Sequence, residues 1–203
     1  SSDLPWSREQ LLFLMSHDPD GFNRWDAGQR LAVDVIQSLV GAAKDTAVEP
    51  RLVTSYRHLI GDSSLDQALV AKMLQLPSEA YLIELADNAD VPAIHRARER
   101  VLKHLAISLR DELVACYHRN VESGDYEITP ESIARRSLRN TALAWLLLIN
   151  DEEGRELAVR QFRDADNMTD RMGALRALVN SDYEEGRSQA LEAFYQEFRE
   201  DPQ

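Results

Sequence analysis

An internal repeat limits this chain more than any other feature. Residues 139–163, moved by 32 positions onto 171–195, match at ten of 25 positions. The identities are Arg139/Arg171, Ala142/Ala174, Leu143/Leu175, Leu146/Leu178, Glu152/Glu184, Glu153/Glu185, Gly154/Gly186, Arg155/Arg187, Ala158/Ala190 and Phe162/Phe194. Each copy reads as helix, short turn, helix. Such a pair cannot bury its apolar face alone, so copies stack on their neighbours. The fold class expected is all-α: stacked antiparallel helix pairs forming a superhelical, HEAT-like array. Tetratricopeptide and ankyrin signatures do not occur.

The rest of the chain keeps the same rhythm, with about ten helices joined by short connectors. Ser7 with Gln10, Ser64 with Gln67, and Ser181 with Glu184 each have the spacing of a capping box. Thr129-Pro130 sets a capping hydroxyl before a proline at the first helical position. Trp25, Ala32, Ile36, Leu39 and Ala43 stripe a helix opening near Phe22. Ile94, Ala97, Val101, Leu105, Leu109 and Cys116 stripe another, from Pro92 to Val121. That helix would be on the order of 45 Å long at 1.5 Å per residue. Its other side carries Arg96, Glu99, Arg100, Lys103 and Arg110, the pattern of a solvated face. With no low-complexity linker in sight, residues 1–203 are expected to form a single α-helical domain.

Composition removes several classes of function. Thirty-five acidic against 23 basic residues leave a net charge of −12, which repels nucleic acid. A lone cysteine, Cys116, excludes an internal disulfide. The longest apolar run, Thr141–Ile149, is far short of the roughly 20 residues a bilayer span needs, and no membrane partner is expected. The Ser-Ser-Asp-Leu-Pro start, which lacks a Met, suggests either processing or excision from a longer polypeptide, and excision is the expectation.

No catalytic constellation assembles from the sequence. The histidines are His17, His58, His95, His104 and His118, and none has a second histidine one turn away as His-Glu-x-x-His requires. His95/Glu99 and His118/Glu122 are one turn apart, a spacing that helical surfaces produce freely. Asp164-x-Asp166 starts like a calcium loop, but Thr169 and Leu175 stand where glycine and a bidentate acid belong. Asn167 instead reads as a helix cap with Asp170 in the first turn. Cys116 falls on an apolar stripe, which suits a small core residue. Arg135, Arg136 and Arg139, with Glu131 one turn before, read as a surface ion-pair network. Trp145 reads as core, whereas Trp25 suits either core or interface.

Two long stretches resemble a known family. Phe13-Leu14-Met15-Ser16-His17 with Phe22-Asn23-Arg24-Trp25-Asp26-Ala27-Gly28-Gln29-Arg30-Leu31 resembles the entry to the C-terminal helical domain of bacterial aminopeptidase N. Leu138-Arg139-Asn140 and Ala165-Asp166-Asn167-Met168-Thr169-Asp170 resemble the same domain further along, in the same order. In that zinc metallo-aminopeptidase (gluzincin) family an upstream domain holds zinc through His-Glu-x-x-His and a distant Glu. A Gly-x-Met-Glu-Asn segment there engages the substrate's amino terminus. Neither motif is present in this sequence, so no catalytic, cofactor-binding or metal-binding residue carries over.

The resemblance implies a non-catalytic segment of a cytoplasmic hydrolase that removes N-terminal residues from peptides, and one that helps to close the active-site chamber. Zinc would belong to the full-length parent enzyme. The partners implied are its catalytic and other domains and, in the whole enzyme, peptide substrates. Arg24, Trp25 and Gln29 are the interface residues expected, because polar and aromatic groups share one helix start. The alternative is a free-standing helical-repeat module that binds a partner protein.

Overall fold

The computed structural model describes residues 6–122 and 126–199. Among them there are eleven helices and no strand. None is long and apolar enough to cross a membrane. The chain divides into two compact units, Ser1–Leu109 and Arg110–Gln203.

The first unit holds α1 (Arg8–His17), α2 (Gly21–Leu39), α3 (Pro50–Gly61), α4 (Gln67–Met73), α5 (Glu79–Glu84) and α6 (Val91–Ser108). Its axis is α2, which packs on α1, α4 and α6. Leu31, Ala32, Val35 and Ile36 of α2 are fully enclosed. Each large apolar side chain so buried contributes about 1.5–3 kcal/mol. The predicted stripe stops early: α2 ends at Leu39, the chain turns through Gly41 at φ +72°, and Ala43 lies exposed beyond the helix.

The second unit holds α7 (Arg110–Arg119), α8 (Pro130–Ile149), α9 (Glu152–Asp164), α10 (Met168–Val179) and α11 (Glu184–Arg199). Here α8 is central, against α7, α9 and α10. The repeated positions are core positions in both copies. Ala142, Leu143, Leu146 and Ala158 are buried, and so are Ala174, Leu175, Leu178 and Ala190. A Cβ on Gly154 would stand 3.1 Å from the Leu146 carbonyl oxygen, whereas one on Gly186 would run into the Tyr183 ring and stand 3.2 Å from the Leu178 side chain. The repeated arginines also match. Arg139 lies over the Tyr117 ring at 4.9 Å and Arg171 over Phe162 at 5.2 Å, each ring belonging to the preceding helix.

Local capping follows the sequence in part. Ser7 and Gln10 form the reciprocal box, Thr129 accepts from the Ser132 N–H, and Asn167 accepts from the Asp170 N–H. Ser64 does not cap: its hydroxyl donates to Asp62, and Asp66 caps α4 instead. Ser181 likewise donates to the Leu178 carbonyl and accepts from the Tyr183 N–H, leaving Glu184 out of any box. In both places a nearby acceptor, the Asp62 carboxylate or the Leu178 carbonyl, captures the serine hydroxyl.

The long helix expected over 92–121 is two helices, broken at Leu109 (φ −114°, ψ 16°). The buried stripe supplies a reason. Ala97, Val101, Leu105, Leu109, Leu113 and Tyr117 recur every four residues and are all buried. At 3.6 residues per turn each such step overshoots by ~40°, so a straight helix would carry the stripe more than halfway round. The polar side is not simply solvated either: Arg57 donates to the Ser108 carbonyl at 3.0 Å, and Arg100 to the carbonyls of Ala43 and Thr46.

Candidate functional site

Two places concentrate polar chemistry, one in each unit. The first is a groove of about 700 Å³ beside α2, α4 and α5. Trp25 and Gln29 of α2 form one side, and Tyr81 and Leu85 of α5 and its cap the other. Leu76 and Pro77 add to the apolar lining. Gln29 is fixed by donating to the Gln75 carbonyl at 2.8 Å. Lys72 sits 4.4 Å above the Trp25 ring, a cation–π contact that holds the indole at the lip. Trp25 is half-buried, and its ring also meets that of exposed Phe22. The structure therefore brings Trp25 and Gln29 together. Arg24 is turned away from them and donates to the Met15 carbonyl at 2.9 Å, tying α2 to the end of α1.

In the second unit, the two sequence stretches 138–140 and 165–170 meet in one polar network. Asp170, almost fully buried, receives Arg139 at 3.2 Å and Asn140 at 3.1 Å from α8. Asn167 closes its cap by donating to the same carboxylate at 3.2 Å. Gln161 of α9 donates to the Asn140 Oδ1 at 2.6 Å and to the Asp170 carbonyl at 2.8 Å. These groups lock α8, α9 and α10 to one another. They are mutually engaged, and their chemistry is that of a clasp.

The arginine cluster also differs from the expected surface network. Arg135 is exposed, but Arg136 is only 2% accessible, donating to Glu122 at 2.8 Å, Ser132 at 2.8 Å and the Glu127 carbonyl at 2.9 Å. Arg139 is enclosed in the clasp. Besides Ser132 one turn away, partners 9 to 31 residues distant draw both inward, which no local pattern announces. Arg110 extends a similar pairing to Asp151 and to Glu153 at 2.6 Å. Burial raises the Asp151 carboxyl, yet the Gly154 N–H and Arg110 outweigh it and leave the pKa below its ordinary value.

Three of the four zinc-type candidates, His95, Glu99 and Glu122, are engaged in structural bonds. His95 Nδ1 meets Glu79 at 2.8 Å and its Nε2 lies 3.5 Å from Glu99. The Glu79 hydrogen bond first, and the Glu99 charge second, raise the His95 pKa. Glu122 is engaged by Arg136 and Ser132 rather than by His118. Among the described residues no three His, Cys, Asp or Glu side chains are grouped as a metal ion needs. The described residues therefore do not fit zinc. Cys116 is fully buried, and burial raises its thiol pKa.

Residues 8–203 match a family model described as a domain of unknown function (DUF3458_C) of ARM repeats. The chain belongs to this ARM-repeat family. Its members are stacked-helix arrays of the class read from the repeat. Aminopeptidase N of Escherichia coli (strain K12) is 38% identical over 177 residues, which is 86% of this chain and 20% of that protein. Aminopeptidase N of Caulobacter vibrioides is 32% identical over 202 residues, 100% of this chain and 23% of that protein. The crystal structure of Legionella pneumophila aminopeptidase A in complex with aspartic acid superposes with a TM-score of 0.83 at 28% identity. It covers 98% of this chain and 24% of that one. The chain thus spans about a fifth to a quarter of the relatives it matches. Within this ARM-repeat family, the match to the C-terminal helical region of aminopeptidase N agrees with the residues that first suggested it.

Proposed function

We propose that this chain is a single accessory, non-catalytic segment of a cytoplasmic, zinc-dependent aminopeptidase N, and that it helps to enclose the chamber in which peptides lose their N-terminal residues. The observation that supports this most is the match of nearly the whole chain to a fifth to a quarter of several aminopeptidases. The side chains agree with it. Several groups that could suggest chemistry are bound into structural contacts: His95 with Glu79, Glu122 with Arg136, and Asp170 with Arg139. Zinc chemistry then belongs to the rest of the parent enzyme, where the ion would polarise the scissile carbonyl and activate water.

A wall carrying a net charge of −12 also attracts the protonated amino group of an entering peptide. The experiment is kcat/KM of the full-length parent enzyme on a short alanyl peptide as salt is raised. The expected result is a fall in kcat/KM, because long-range attraction is screened beyond about 8 Å at physiological ionic strength. Salt-independent capture would refute the electrostatic role of this wall.

A further inference from the structure

The groove beside α2 rests on the reading of the chain as one segment of a larger peptidase, and it deepens that reading by showing where the rest would sit. Three observations limit the occupant. The charged groups that line the groove are already answered within the unit. Asp26 pairs with Arg30 at 2.8 Å, Asp34 with Arg8, and Lys72 with the Trp25 ring. A free peptide amino group would want an unanswered carboxylate, and neither Asp26 nor Asp34 offers one. Second, the exposed remainder is apolar or uncharged: Tyr81 and Leu85 are 47% and 44% accessible, with Phe22 beside Trp25 at the lip. Water-exposed apolar side chains gathered at a groove mark a surface that gains by being covered. Third, the groove is concave. A two-fold copy would set groove against groove and fill neither. Two chains of charge −12 also repel one another.

We propose that this groove seats an uncharged, apolar protrusion of the parent polypeptide, contributed by the three-quarters or more of the enzyme that lies outside this segment. Trp25, Tyr81 and Leu85 are its anchor contacts, and Gln29, held by Gln75, keeps the Trp25 side in shape. Trp and Tyr are residue types that carry binding energy once such a patch is covered.

The test is photo-crosslinking in the full-length parent enzyme, with a benzophenone-bearing phenylalanine in place of Tyr81 and, independently, of Leu85. Adducts are located by mass spectrometry, and alanyl-substrate turnover is followed on the same samples. The expected adduct is intramolecular, joins peptides outside the segment matched by residues 1–203, and does not change on tenfold dilution. An adduct to a second molecule that fades on dilution would make the occupant another copy and overturn the proposal. Adducts confined to the segment itself, or none at either position in an active enzyme, would show that the groove faces solvent and overturn it too. Failure of the broader reading looks different: the parent would lack aminopeptidase turnover whatever the cross-linking pattern.

Discussion

Replacing Gly173 by alanine should change sign with its background. A Cβ at Gly173 of α10 would come within 2.8 Å of the Asn140 Nδ2 on α8, and closer still to its Cγ and Oδ1. Asn140 has little room to yield. It is short, its amide donates to Asp170 at 3.1 Å, and its oxygen accepts from Gln161 at 2.6 Å. Overpacking of this kind costs about 1–3 kcal/mol. Against it stands the gain of Ala over Gly in a helix interior, about 1 kcal/mol. Gly173→Ala alone should therefore destabilise the chain by about 1 kcal/mol once both terms are summed. Asn140→Ala should cost about 1–3 kcal/mol through its lost hydrogen bonds. In that second background the obstacle is gone, and Gly173→Ala should stabilise by about 1 kcal/mol. The assay is urea unfolding of the four proteins of the cycle, followed by helical circular dichroism, with a coupling of about 2 kcal/mol expected from neighbouring sites. If Gly173→Ala stabilises the unmodified chain as much as the Asn140→Ala chain, the close approach of α8 and α10 is not the reason for glycine there.

Two further expectations come from the same bonds. Asp170→Ala leaves the enclosed Arg139 without its carboxylate and breaks the tie to Asn140. Unfolding in urea should show a loss of about 3–5 kcal/mol, the usual cost of opening a buried pair from one side, and a loss under about 1 kcal/mol would mean the clasp is incidental. His95 is exposed and its folded pKa is raised by Glu79 and Glu99. Its contribution is therefore fully present below the unfolded pKa and fades as pH rises through the folded value. Glu79→Gln should move the His95 imidazole titration, read by NMR, downward, and an unchanged curve would remove Glu79 as the main cause.

Features that depend on neighbours along the chain could be read from the sequence. The caps at Ser7, Thr129 and Asn167 depend on side chains within three residues, and the repeat marked the core positions Leu143, Leu146, Leu175 and Leu178. Competition escaped the reading, as at Ser64, where Asp62 and Asp66 took the roles assigned to it. So did long-range partnership. Arg136 and Arg139 sit on one helix among charged neighbours, and only folding brings Glu122, Glu127 and Asp170 to them. The break at Leu109 was present as a strict four-residue spacing of buried positions, a signal that an average period of 3.6 conceals. At the groove, the sequence pointed to Trp25 and Gln29 through their shared helix start. Tyr81 and Leu85 lie more than fifty residues on, and Arg24 was assigned with its neighbours although it faces α1.

The proposed role of this chain is to contribute structure and not catalysis to an aminopeptidase. The most direct measurement is turnover of an alanyl chromogenic substrate by the purified chain, with and without added zinc, beside the full-length parent enzyme. Zinc-dependent turnover is expected from the parent and none from the chain, while the chain keeps a fully helical circular dichroism spectrum. Zinc-dependent turnover by the chain that survives rigorous purification would contradict this role and return attention to His95, Glu99, His118 and Glu122.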